Sequence, residues 1–196
     1  MRYYYTQKQE KELLKSIVIL IDTREQENDH IIKWFEAKRI PYKSKKLDFG
    51  DYSFFIPANK ELDIPRDLMF NDEIVIERKN SLDEVASNLS EKDGGHRFEA
   101  ELIRAQKAKA IFDIVIEDGS WLKLFSGDYR SEYKPKSFMA RLHAFIARYG
   151  VSINFIDKIL MAQHIYYRFY YYARERFGKV LMDDLIETIN EDGKEL

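Results

Sequence analysis

Six residues near the middle of the chain, Ile74-Val75-Ile76-Glu77-Arg78-Lys79, constrain the fold more than any other stretch. Three branched aliphatics in a row specify a buried β-strand. The run then ends in a carboxylate, a guanidinium and an ammonium. Alternate side chains of a strand share a face, so Glu77 and Lys79 point one way and Arg78 the other. An acid and a lysine on one face, with a second acid from a neighbouring strand, can hold a divalent cation and orient a water. That is the layout of metal-dependent phosphodiester cleavage. The lysine can stabilise an anionic pentavalent phosphate or help deprotonate the water. Gly50-Asp51-Tyr52 supplies the second acid. Glycine permits a tight backbone and a close-approaching ligand, and Asp51 then opens a strand over 52–56 with its carboxylate at the sheet's edge. Taken alone, Gly-Asp is a common turn pair.

Other segments arrange themselves around this pair. Residues 17–21 are β-branched and apolar, a second buried strand. Asp22 and Glu25 follow its carboxyl end, where ligands gather in open α/β sheets. The residues alone equally allow a loop start at Asp22 and a favourable helix N-terminal charge at Glu25. Residues 27–39 read as a helix ended by Pro41, and 42–47 as a strand. From Lys33 to Lys46, six basic residues face a single acid, so the stretch that includes Lys43, Lys45 and Lys46 is either a solvated face or a DNA-backbone patch. Residues 57–72 are polar with two prolines, too long for a tight hairpin, and are read as decoration or a flap.

Downstream, Ser81 and Glu84 have capping-box spacing, and Asp83 sits in the first turn of that helix, where it compensates the dipole. Residues 90–95 end in Gly-Gly and are expected to be a mobile loop. A helix over 96–109 puts Arg97, Glu101 and Arg104 on one face. Residues 111–117 are a buried strand. The loop at 127–134 mixes Tyr129, Arg130, Tyr133 and Lys134, a composition that either binds single-stranded nucleic acid or belongs to a plain loop. A helix at 135–149, a strand at 151–156 and a long aromatic helix at 159–177 complete the pattern. Aromatics at helical spacing ordinarily mean a core helix, but in that last helix they occur nearly all round, so both sides must be buried, and the alternative is a subunit interface.

Composition sets outer bounds. The chain has 196 residues, 45% hydrophobic, enough for one domain with a real core. It contains no cysteine, which excludes disulfides and thiolate metal sites and fits a reducing cytoplasm. No apolar run approaches the ~18 residues of a membrane span, and Met1-Arg2-Tyr3-Tyr4-Tyr5 lacks a signal-peptide core. A net charge of -2 counts against a pure DNA-binding module more than against a nuclease, which must collect acids for its metal.

Gly50-Asp51, Glu77-Arg78-Lys79 and then Asp83 together resemble the GDx(n)ERKx3D signature of the XPF-type structure-specific endonucleases. Residues 21–25, Ile-Asp-Thr-Arg-Glu, are similar to that family's first strand and its D-x-R-E, and Arg97-Phe98 stands where the family carries a basic residue. The resemblance implies an α/β, restriction-endonuclease-like fold: a mixed central sheet flanked by helices in a single domain. It divides the chain into an N-terminal helical extension (1–16), the nuclease domain (17–177) and an acidic C-terminal tail (178–196). It implies magnesium or manganese held by Asp51 and Glu77, by the main-chain carbonyl after the glutamate, and by Asp22 and Glu25 directly or through water. Lys79 would orient or activate water, Arg78 and Arg97 would hold phosphate or the site, and Asp83 would orient Lys79 or Arg78. Glu117 matches a strand-end acid. Where the family usually has glutamine, this chain has Glu101. The expected partner is branched or flap DNA, in recombination or repair, with a homodimer formed through the aromatic helix. No helix-hairpin-helix pattern follows Phe177, and the setting expected is a prokaryotic or viral cytoplasm. The alternatives are a non-catalytic DNA-binding subunit of such a nuclease, or a junction resolvase or exonuclease on the same core.

Overall fold

Helix and strand alternate along the chain much as its hydrophobic runs predict. After α1 (Gln7–Lys15) come β1 (Val18–Ile21), α2 (Asp29–Lys38), β2 (Tyr42–Ser44), β3 (Tyr52–Ile56), β4 (Leu68–Met69) and β5 (Ile74–Lys79). Two helices, α3 (Leu82–Ser90) and α4 (Lys92–Ala108), lead to β6 (Ile111–Glu117). The helices α5 (Trp121–Ser126) and α6 (Pro135–Tyr149) lead to β7 (Ser152–Ile156), and α7 (Met161–Asp192) follows. This computed structural model describes the backbone of residues 5–90 and 92–192, and their side chains apart from those of residues 92–94 and 178–192.

The described strands form one mixed sheet in the order β2-β1-β3-β5-β6-β7, with β4 paired to β3 off that path. Its β1 runs parallel to β2 and antiparallel to β3. The β3–β5 pair is antiparallel, while β5, β6 and β7 are parallel. The carboxyl ends of β1, β5 and β6 therefore share one edge with the amino end of β3. Asp22, Asp51, Glu77, Lys79 and Glu117 all lie at that edge. This is the mixed, helix-flanked α/β sheet that the motif implied.

Strand alternation sorts the core into two layers. Ile74 and Ile76 pack with Ile19, Tyr52 and Phe54 under Leu13, Phe35, Ile165 and Phe169 of α1, α2 and α7. Val75 faces the other way, with Phe112, Ile114 and Ile116, under Val85, Phe98, Leu102 and Phe145 of α3, α4 and α6. Phe35, Phe54 and Phe145 are each 0% exposed, and burying such a side chain contributes about 1.5–3 kcal/mol. The same alternation continues into the charged end of β5. It delivers Arg78 to the α2 side and Glu77 with Lys79 to the α4 side.

Four local expectations change. The Gly-Gly stretch is not a loop, because α4 already begins at Lys92. Glycines cost a helix about 1 kcal/mol each, and the buried Phe98, Leu102 and Ala105 further along outweigh that cost. The 57–72 segment is tied down rather than flap-like. It holds a short 3₁₀ turn at Lys60–Leu62, pairs β4 with β3, and buries Leu62, Ile64 and Phe70. The strand expected over 42–47 ends at Ser44, after pairing Tyr42, Lys43 and Ser44 with β1. Residues 178–192, expected to be tail, continue α7 to Asp192, a stretch with no proline and with Val180, Leu181, Leu185 and Ile189 at helical spacing. Residues 193–196 lie outside the described residues, as do residues 1–4, which include Tyr3 and Tyr4 of the N-terminal tyrosine run. Tyr5 meets Phe177 edge-on at 5.9 Å, and Thr6 forms the capping box that starts α1.

Candidate active site

Gly50 and Asp51 are placed by the backbone. Gly50 has φ +71°, and a Cβ there would lie 2.9 Å from Val75 Cβ, so both conformation and space require glycine. The Asp51 N–H donates to the Ile76 carbonyl at 2.9 Å, and the Asp51 carbonyl accepts from the Asp22 N–H at 2.7 Å. The Asp51 carboxylate accepts from the Arg78 N–H at 2.8 Å. One aspartate is thereby stitched to β1 and to the charged end of β5.

Glu77 and Lys79 share the α4 side of β5, as alternation requires. Lys79 Nζ donates to Glu77 Oε1 at 2.7 Å and lies 3.6 Å from Glu84 Oε1. Its ammonium also sits 5.2 Å from the centre of the Phe98 ring. Burial pulls the ammonium's pKa down, but Glu77, Asp51 and Glu84 outweigh it and hold the pKa above the ordinary lysine value. Burial and the charge of Glu77 push the Asp51 carboxyl well above the usual carboxylate range, against Lys79 and the Arg78 N–H. Burial and Glu77 raise the Glu101 carboxyl as well. Asp51 and Glu77 thus carry more negative charge than the one ammonium beside them balances.

The α2 side of the same strand is saturated. Arg78 donates from Nε and Nη2 to the two oxygens of Glu117 at 2.7 and 2.9 Å, and from Nη1 to Glu25 Oε1 at 2.6 Å. His30 Nε2 is 2.7 Å from Glu117 Oε1, and the Tyr52 hydroxyl donates to Glu25 Oε1 at 3.2 Å. Glu117 is 0% exposed and Arg78 is 5% exposed.

Several predicted site residues take other positions. Glu25 is committed to Arg78 rather than to the Asp51–Glu77 pair. Asp22 accepts from the Arg24 N–H and Nε at 2.8 and 2.6 Å, and from the Leu47 N–H at 2.6 Å. These bonds overcome the effect of burial and lower its pKa. Asp22 and Glu25 are therefore engaged locally, and among the described residues no group of three or more His, Asp or Glu is close enough to cage a metal. Asp83 reaches neither Lys79 nor Arg78. It accepts from the Ser131 N–H at 2.8 Å and from Arg130 Nε at 3.3 Å, while its neighbour Glu84 takes the place beside Lys79. Tyr129 and Tyr133 meet Phe138 edge-on and are half-buried, and the side chain of Arg130 beside them is 91% exposed. Arg97 is exposed on α4, and Lys43, Lys45 and Lys46 are exposed in and after β2. Sequence reading did not pair His30 or Arg78 with Glu117, because the partners are 87 and 39 residues apart and no local pattern marks them.

Asp51 and Glu77 are hard oxygen donors whose mutual repulsion a divalent cation would relieve. Magnesium is commonly held by one or two carboxylates completed with water, so the residues present fit such an ion. A sheet edge that joins this pair to a buried lysine defines a nuclease-type core. The sequence matches the ERCC4 domain over residues 21–169, and the chain belongs to that family, the XPF-type nuclease domains that its motif resembles. Among solved structures it is similar to XPF from Aeropyrum pernix, with TM-score 0.52, 20% identity, and coverage of 78% of this chain and 59% of that one. It is also similar to XPF from Aeropyrum pernix in complex with DNA, with TM-score 0.50, 18% identity, and coverage of 85% and 66%. The chain spans less than two thirds of either. No curated protein matches. Among the described residues no helix is long and apolar enough to cross a membrane.

Proposed function

We propose that this protein is a divalent-metal-dependent DNA endonuclease that hydrolyses phosphodiester bonds at branched or flap structures. The observation that carries the reading is the charge imbalance on one side of β5: Asp51 and Glu77 repel one another beside a lysine that remains charged. Asp51 and Glu77 hold magnesium or manganese. The bound ion supplies Lewis-acid polarisation of the phosphoryl group and a more acidic water. Lys79, protonated at neutral pH, stabilises the negative charge that develops on phosphorus oxygens, so the ammonium is an electrostatic group rather than a base. Arg78 acts from behind: its main-chain N–H fixes Asp51, and its side chain locks β5 to β6 and to Glu25. The exposed Arg97, Arg130, Lys43, Lys45 and Lys46 contact the DNA backbone.

The same reading includes a homodimer. Tyr167 and Tyr171 of α7 are 43% and 50% exposed, next to the exposed Ile159 and Leu160, an apolar surface suited to a second copy. Sedimentation of the wild type beside Tyr167→Ser/Tyr171→Ser tests it: a dimer that the double substitution splits is expected, and a wild-type monomer at all concentrations removes it.

Labelled flap, fork, four-way junction, linear duplex and single-stranded DNA, incubated with magnesium or manganese, test the activity. Metal-dependent cutting of the branched forms, abolished by Asp51→Asn and by Lys79→Ala, is the expected result. Equal cutting of linear duplex would keep the chemistry and remove the branch preference. Tight binding with no cutting would identify a non-catalytic subunit.

A further inference from the structure

Arg24 and Arg104 reach one point from different parts of the chain. Arg24, between β1 and α2, is braced by Nε on Asp22 at 2.6 Å and by Nη2 on the Leu47 carbonyl at 3.3 Å. Arg104, on α4, is braced by Nε on the Asp48 carbonyl at 3.0 Å. Each offers a remaining nitrogen to the same atom, Glu101 Oε1. Arg24 Nη1 lies 3.3 Å from it and Arg104 Nη2 lies 3.6 Å from it. The two arginine side chains are 52% and 47% exposed, against 19% for Glu101.

Two anchored guanidiniums converging on one anionic oxygen reproduce the geometry with which arginines take phosphate. Glu101 fills that place poorly. Its contacts are long, half-exposed ion pairs of this kind contribute little to stability, and Glu77 repels it from the other side. A phosphodiester presents two oxygens, so it can engage both arginines at once. The bracing carbonyls, Leu47 and Asp48, directly follow the exposed Lys45 and Lys46, so a DNA backbone lying on those lysines is led to the same point.

We propose that Arg24 and Arg104 form a phosphodiester clamp beside the Asp51–Glu77 pair, and that Glu101 occupies it in the free protein as an internal anion which nucleic-acid phosphate displaces. The inference rests on the nuclease reading above and adds a binding site together with its built-in competitor. Glu101 lowers the affinity of the free protein for nucleic acid, and removing its charge uncovers the clamp.

The test is binding of fluorescein-labelled duplex and flap DNA in a chelating buffer, so that cleavage plays no part, with thermal melts to confirm folding. Glu101→Gln is expected to tighten binding by about fivefold at low salt and to steepen the dependence of log Kd on log salt by about one. Arg104→Ala is expected to weaken binding and, combined with Glu101→Gln, to cancel most of that gain. If the wild type binds and Glu101→Gln binds equally or more weakly, the clamp is overturned while the nuclease reading stands. If Glu101→Gln instead loses metal-dependent cleavage without gaining affinity, Glu101 belongs to the metal site and the clamp is likewise overturned. If neither protein binds DNA, the clamp falls together with the nuclease reading.

Discussion

The two sides of β5 are built from adjacent residues to opposite ends. On the α2 side, the Arg78 guanidinium meets Glu117 with two hydrogen bonds and Glu25 with a third, and His30 and Tyr52 add one bond each. On the α4 side, Asp51 and Glu77 share the ammonium of Lys79, and Glu101, paired with Arg24 and Arg104, adds a further carboxylate that Glu77 repels. One side is closed to further partners. The other has carboxylates that repel each other, and a repelling pair is what a cation or a phosphate-bearing substrate can relieve. Strand alternation makes the division possible, because a shift of one residue would exchange the two environments.

Arg78→Ala strikes the saturated side and is expected to show the largest effect. It leaves Glu117 and Glu25 without their cation in a buried site, which costs about 3–5 kcal/mol. Urea denaturation measures it, and a loss well under that range would mean the network is less tightly coupled than its distances indicate. Lys79→Met strikes the other side and keeps the side-chain stem beside Phe98. Cleavage is expected to fall about 10²–10³-fold, with a smaller stability change than Arg78→Ala. Single-turnover rates beside urea melts read both quantities.

Asp51→Asn sharpens the contrast because it should stabilise the protein. A carboxyl raised in the folded state contributes stability below the ordinary carboxylate pKa of ~4 and loses it as pH rises through the raised value. In chelator at neutral pH, Asp51→Asn is therefore expected to melt roughly 2–5 °C higher than wild type. The difference should close towards acid pH, below the ordinary carboxylate range. Added magnesium should stabilise the wild type and leave the variant unmoved. A lower melting temperature for Asp51→Asn at neutral pH would contradict the charge imbalance.

Glu84→Ala is the smallest expected effect. The Glu84 carboxylate accepts from the Asn80 N–H at 2.7 Å and stands near Lys79, so its loss should cost about 0.5–2 kcal/mol in thermal or urea melts and reduce cleavage only modestly.

The side with repelling carboxylates was the more legible in the sequence. Gly50-Asp51, Glu77 and Lys79 are apart along the chain, but they carry their chemistry in residue type and order, which a motif preserves. The sheet was legible for the same reason, since its strands are short apolar runs separated by turns. The saturated side was not, because the partners of Arg78 come from the β1–α2 connection and from the end of β6. For Asp22 and Glu25 the sequence leaves the role open, because a carboxylate at a strand end looks the same whether it awaits a cation or already holds an arginine, and only the fold shows their bonds to Arg24, Leu47 and Arg78. Asp83 is ambiguous for a related reason. On α3 it stands next to Glu84, and only the fold decides which of the two faces Lys79. The edge-on contacts of Tyr129 and Tyr133 likewise depend on Phe138, which sequence does not place beside them.

Gly50 separates two kinds of inheritance. Its constraint is spatial, since Val75 leaves no room for a side chain, and it would persist in a relative that had stopped cutting nucleic acid. Asp51, one bond along, is held in place by the same backbone but carries an electrostatic penalty that only a use can justify. In descendants of this fold, the glycine would mark ancestry, and the aspartate beside it would mark continued employment.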